Sequence, residues 1–149
     1  MLSFVFFQNV STFPATETPV MINAKLLNPK SIVVVGGSDD VTKAGGKVLK
    51  NLLNGGFTGD IYVVNPKAPV VQGLTAFADV LMLPRTDLAV IAVAARYCPG
   101  IVRTLATDKG TGGFIILSAG FGEEDEEGAA LEKEIVDIIN STGGTLIGP

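Results

Sequence analysis

Ile32-Val33-Val34-Val35 runs directly into Gly36-Gly37-Ser38, and after a short polar stretch comes Gly45-Gly46. Four consecutive branched or apolar residues suit a strand covered on both faces, which places it inside a parallel sheet. The glycines then mark a tight turn, and a helix opens at about Gly45. A helix start exposes unpaired backbone N–H groups and the positive end of the helix dipole. A phosphate reaches them only where side chains are absent, so this strand–turn–helix unit implies a nucleotide-like ligand.

The rest of the chain repeats the same alternation. A short helix around Ile22–Leu27 is closed by Asn28-Pro29-Lys30, and the first strand covers Ser31–Gly36. The first long helix, about Gly45–Asn54, carries Val48, Leu49, Leu52 and Leu53 on one stripe, and Gly55-Gly56 stop it. Further strands are expected at Ile61–Asn65, Leu88–Ala94, Gly113–Ser118 and Thr145–Ile147. Helices are expected at Ala76–Leu83, at Cys98–Thr107 with Pro99 in the first turn, and at Glu124–Asn140. In the last of these Leu131, Ile135, Ile138 and Ile139 face inward. This order predicts an α/β chain: a Rossmann-like, doubly wound parallel sheet of about five strands in a three-layer α/β/α sandwich. Such folds bind ligands outside the C-terminal ends of the strands, at the point where the winding reverses. Four segments therefore belong to one crevice: Gly36-Gly37-Ser38, Asn65-Pro66-Lys67, Ala94-Ala95 and Ser118-Ala119-Gly120.

Composition narrows the partners. The 149 residues are 47% hydrophobic, enough for one well-buried core, and no apolar run approaches the roughly 18 residues that a membrane span needs. Net charge is −4 and the eleven basic residues are scattered, which argues against nucleic acid and assigns any phosphate site to local geometry. The single cysteine, Cys98, excludes an internal disulfide and suits a reducing compartment, so a cytoplasmic location is expected.

The pattern fits a standard dinucleotide site poorly. The turn from Gly36 to Gly46 is too long for the G-x-G-x-x-G spacing, and no acid ends the second strand to hold a ribose diol. Asn65-Pro66-Lys67 stands there instead. Lys67 is either a solvated loop lysine or a contact for a phosphate on a ribose, which NADP and coenzyme A both carry. Cys98 is either a nucleophile activated by a helix start or a buried structural thiol. The acidic run Glu123–Glu127 is read as favourable charge at a helix N-terminus, with metal binding the lesser alternative. Arg96 and Arg103 are read as surface residues, with reach to the ligand the lesser alternative.

Six blocks in register carry a resemblance: Ser31–Ser38, Lys43–Leu49, Ile61–Lys67, Asp87–Val93, Ser118–Phe121 and Leu146–Pro149. Together they resemble the N-terminal coenzyme A-binding domain of NDP-forming acyl-CoA synthetases, relatives of the succinyl-CoA synthetase α subunit. The resemblance covers roughly Ile22 to Pro149. It implies that Gly36, Gly37, Ser38, Lys43 and Gly45 hold the phosphates of coenzyme A, with Asn65, Pro66 and Lys67 beside its ribose phosphate. Ala94, Ala95, Ser118, Ala119 and Gly120 would line the adenine and pantetheine path. The family often has Gly-Ala-Ser at Gly36-Gly37-Ser38 and commonly Val-Pro-Ala at Val93-Ala94-Ala95, and loss of that proline would loosen the wall.

The family's reaction passes a phosphoryl group through a histidine, and this chain has none. The expected role is therefore a coenzyme A-binding module, not catalytic alone, that works with the remaining domains or subunit of a synthetase. Its parent is alternatively a protein acetyltransferase with this domain as a regulatory half. An NADP-dependent oxidoreductase or redox-sensor domain is the reading from a different class, and a stand-alone coenzyme A sensor is a third. Residues 1–21 read as an N-terminal extension, poorly ordered or partly helical, because no basic residue precedes Phe4-Val5-Phe6-Phe7 as a signal peptide requires. Residues 22–149 read as one domain excised from a longer chain, whose uncovered apolar helix faces predict weak self-association.

Overall fold

In the computed structural model, which describes residues 22–121 and 125–149, Ser31–Val35 forms β1 and is buried at every position. The elements follow in chain order as α1 (Ala24–Leu27), β1, α2 (Ala44–Asn54), β2 (Asp60–Val64), β3 (Val70–Val71), β4 (Leu74–Thr75), β5 (Leu88–Ile91), α3 (Cys98–Thr107), β6 (Gly113–Ile116), α4 (Glu126–Ser141) and β7 (Thr145–Ile147). Short 3-10 turns lie at Val80–Met82 and Ala95–Tyr97. The extension expected over residues 1–21 lies outside the described residues.

Five strands form one parallel sheet in the order β2-β1-β5-β6-β7. The chain steps from β1 outward to β2 and then crosses to β5 on the other side of β1. That reversal puts the switch point at the C-terminal ends of β1 and β5. Strand periodicity divides the core between two faces. Val34 and Val63 pack with Leu49 of α2 and Val71 of β3, and Ile32, Leu88 and Val90 extend this layer. Val33, Val35, Ala89, Ile91, Phe114 and Ile116 face Val102 and Leu105 of α3 and Ile135, Ile138 and Ile139 of α4. The three layers are those expected from the alternation of buried strands and amphipathic helices. No described helix is long and apolar enough to cross a membrane.

α3 and β7 have the bounds read from the sequence, while the other strands stop earlier at their C-terminal ends, by one residue in β1 and β2 and by two or three in β6 and β5. The helix expected at Ala76–Leu83 is not formed. Phe77 instead lies alongside β2, its N–H donating to Val63 O at 2.9 Å and its carbonyl accepting from Asn65 N at 2.9 Å. Its ring meets Tyr62 edge-on, with centroids 6.1 Å apart. Asp79 then caps the single turn Val80–Met82 by accepting from Leu81 N. A cap in the middle of the stretch divides it, so its apolar residues serve two short pieces. α4 starts at Glu126 because the Asp125 carboxylate accepts from Gly128 N at 2.8 Å, an N-cap.

Candidate functional site

The site is built on the approach of α2 to the end of β1. Gly36 has φ +86°, a left-handed conformation open to glycine, and a Cβ there would lie 2.5 Å from Ala92 O. A Cβ on Gly45 would lie 2.1 Å from Gly36 O. These glycines let β1, β5 and the first turn of α2 touch through their backbones. Among the described residues the N–H groups of Ala44, Gly45 and Gly46 have no acceptor, so the helix start keeps its donors for a ligand. Lys43 is the N-cap residue, exposed and extended, without a side-chain cap bond.

The intervening loop is internally wired. Ser38 Oγ accepts from Asp40 N at 3.0 Å, and Asp40 Oδ1 accepts from Thr42 N at 3.0 Å and from Thr42 Oγ1 at 2.6 Å. The Thr42 hydroxyl and then the Thr42 N–H hold the Asp40 carboxyl below its ordinary pKa against desolvation, with the charge of Lys43 the smallest contribution. The turn therefore keeps a fixed shape although Asp39 and Asp40 are both exposed.

Asn65 ties β2 to this loop. Its Nδ2 donates to Gly37 O at 2.9 Å, while its Oδ1 accepts from Lys67 N at 2.8 Å and Ala68 N at 3.1 Å. The Asn65 side chain is thus spent on shaping the turn, and Pro66 follows where a strand cannot continue. Lys67 is exposed. The ion pairs among the described residues are Arg103–Glu134 and Lys133–Asp137, so neither Lys43 nor Lys67 is paired to a carboxylate there.

The opposite wall comes from β5 and β6. Ala94 is exposed with φ −59°, and Ala95 is buried. A Cβ on Gly120, at φ +95°, would sit 3.6 Å from Ala95 Cβ, which joins the two strand ends. Ser118 is half-buried and Ala119 exposed. Cys98 lies beneath, its Sγ 3.6 Å from Ser118 Oγ and 3.7 Å from Ala94 O. Burial pushes its thiol up, partly offset by the Ser118 hydroxyl, a direction opposite to the one a nucleophile needs. Arg96 stacks over its neighbour Tyr97, 4.7 Å from the ring centroid, and Arg103 pairs with Glu134 at 2.8 Å. Of the acidic run, Asp125 caps α4 and Glu126 and Glu127 stand in its first turn, while Glu123 and Glu124 lie outside the described residues.

Contacts thus run from β2 to β1 through Asn65–Gly37, from β1 to β5 through Gly36–Ala92, and from β5 to β6 through Ala95–Gly120. Gly36 and Gly45 allow the close backbone packing that brings the start of α2 up to the strand ends. With free helix N–H groups and two unpaired lysines, this set fits a phosphate-bearing nucleotide. Sequence reasoning passed over Gln72 and Asp39, which join a hairpin to the same loop. Their signal is Val70-Val71-Gln72-Gly73-Leu74-Thr75, a β-branched pair and a Leu-Thr pair around a two-residue turn that contains glycine.

The CoA binding domain family matches residues 30–149. The alpha subunit of ADP-forming acetate–CoA ligase II from Pyrococcus furiosus is 41% identical over 127 residues, 82% of this chain and 26% of that protein. ADP-forming acetate–CoA ligase II from Archaeoglobus fulgidus is 39% identical over 125 residues, 83% of this chain and 18% of that protein. Among solved structures, the dinucleotide-forming acetyl-coenzyme A synthetase 1 of Ca. Korarchaeum cryptofilum, in complex with phosphate and ADP, has a TM-score of 0.74 and 35% identity over 82% of this chain and 26% of that one. The chain spans about a quarter or less of the length of these relatives. It belongs to the CoA binding domain family, homologous to one part of the ADP-forming acyl-CoA synthetases.

Proposed function

We propose that the crevice at the ends of β1, β2, β5 and β6 binds coenzyme A, and that the chain serves as the coenzyme-binding module of an ADP-forming acyl-CoA synthetase in the cytoplasm. The carrying observation is the unpaired start of α2 set against the glycine turn, on a chain of this family. In this reading the pyrophosphate meets Gly36, Gly37, Ser38 and the N–H groups at Gly45, with Lys43 adding charge. Asn65 and Pro66 shape the turn that presents Lys67 to the 3′-phosphate. Ala94, Ser118 and Ala119 border the path of adenine and pantetheine, with Ala95 and Gly120 packed together at its base.

With no histidine in the sequence, the chain has no group to carry a phosphoryl transfer of the kind its resemblance implies. Its part is to hold coenzyme A so that the thiol meets an acyl phosphate made by the other domains or subunit. Similarity to ADP-forming ligases supports a synthetase parent over an acetyltransferase.

Calorimetric titration with coenzyme A, dephospho-coenzyme A and NADP, on the chain and on Lys67→Ala, tests this. Lys67→Ala is expected to weaken coenzyme A about tenfold and to leave dephospho-coenzyme A unchanged, as loss of one charge-assisted contact implies. Tighter binding of NADP than of coenzyme A would overturn the reading in favour of a redox domain.

A further inference from the structure

A single residue of the β3–β4 hairpin grips the glycine loop at three points. Gln72 Nε2 donates to Ser38 O and to Gly46 O, each at 2.8 Å, and Gln72 N donates to Asp39 Oδ1 at 2.6 Å. Gln72 also has φ +47°, a left-handed conformation that a residue with a Cβ rarely adopts. With Gly73 at φ +82° it makes the two-residue turn between β3 and β4. Glycine would fill this position without steric cost, so the side chain has a use that offsets the strain.

That use follows from the partners. Ser38 O lies on the turn after β1 and Gly46 O in the first turn of α2, so the amide spans both arms of the loop. The backbone N–H meanwhile engages the Asp39 carboxylate, an anion beside a place meant for phosphates. We propose that Gln72 is the positioning residue of the pyrophosphate-binding loop: it fixes the spacing between the glycine turn and α2, and holds the Asp39 carboxylate on the hairpin side. The proposal rests on the coenzyme A reading and adds to it a residue from outside the strand ends. Gln72 acts through the loop and not on the 3′-phosphate that Lys67 is assigned to.

Two variants separate the amide from the fold. Gln72→Gly removes the side chain while relieving the backbone, so it folds. Gln72→Glu keeps size and backbone but sets a carboxylate, which donates nothing, against two carbonyl oxygens. Each is titrated with coenzyme A and dephospho-coenzyme A, and amide hydrogen exchange is followed over Gly37–Gly46 without ligand. Both variants are expected to lose about tenfold in affinity for both ligands. The ratio between the two ligands should stay as in the parent chain, since the Lys67 contact is untouched. Exchange over Gly37–Gly46 should quicken while the amides of β5 and β6 keep their protection.

Unchanged affinity in Gln72→Glu, or unchanged exchange in both variants, would overturn the assignment. A changed ratio between the two ligands would also overturn it, since the residue would then act on the whole crevice. Failure of the parent chain to bind coenzyme A is a separate result: it removes the coenzyme reading, whereas the grip on the loop is still decided by exchange.

Discussion

At the scale of single residues, the site separates groups that shape it from groups free to meet a ligand. Asn65, Asp40 and Ser38 are occupied by hydrogen bonds within the turns, whereas Lys43 and Lys67 make no ion pair among the described residues. Because the Thr42 hydroxyl is the largest cause of the lowered Asp40 pKa, Thr42→Val is expected to raise it toward the ordinary carboxylate range, read by carboxyl NMR titration. An unmoved titration would reassign the cause. Cys98 makes the opposite case. Its thiol is pushed up by burial in the folded chain, so on raising the pH the unfolded thiol, near about 8.5, loses its proton first. Stability contributed by the protonated thiol is full below that pH and falls as pH rises toward the higher folded value. The urea midpoint should therefore drop on the alkaline side, and Cys98→Ala should flatten the drop. The direction at Cys98 was open in the sequence because a helix start and burial act in opposite directions, and burial is known only once the chain is packed.

At the scale of elements, the backbone contacts of α2 make the strongest demand. Gly45→Ala places a Cβ 2.1 Å from Gly36 O, and backbone cannot yield as a flexible side chain does. The expected destabilisation is about 1–3 kcal/mol, as for other overpacked sites, measured by chemical denaturation. A neutral Gly45→Ala would show that α2 is free to slide away from β1. Ala94 makes a milder one. Its φ of −59° is the value proline enforces, and its N–H has no acceptor among the described residues. Ala94→Pro is thus expected to stabilise the chain by about 0.4–1 kcal/mol through the unfolded state, with a raised melting temperature as the check. The sheet strands and the three long helices were legible because each shows a strand or helix period with glycine, proline or a capping residue at its ends. The stretch from Val70 to Leu83 was not. It holds two-residue strands, a bridge at Phe77 and one 3-10 turn, each shorter than the window in which a period can be recognised. Gln72 was missed for a different reason: its partners lie more than two dozen residues away in the chain, so the hairpin pattern alone does not show what it grips.

At the scale of the whole molecule, topology selects the site before any side chain does. The order β2-β1-β5-β6-β7 brings the four strand ends to one edge, where the parallel strands also aim the start of α2. Phe114, fully buried in the layer beneath α3 and α4, is central to that frame. Phe114→Ala is expected to cost about 3–5 kcal/mol and to weaken ligand binding only as far as the fold is lost. The central claim is that this edge is where coenzyme A binds. Amide chemical-shift mapping of the chain titrated with coenzyme A tests it most directly. The account predicts shifts concentrated at Gly36–Gly46, Asn65–Ala68, Ala92–Ala95 and Ser118–Gly120. Shifts confined to the opposite edge, around Lys30, Asp87 and Gly112, would contradict it.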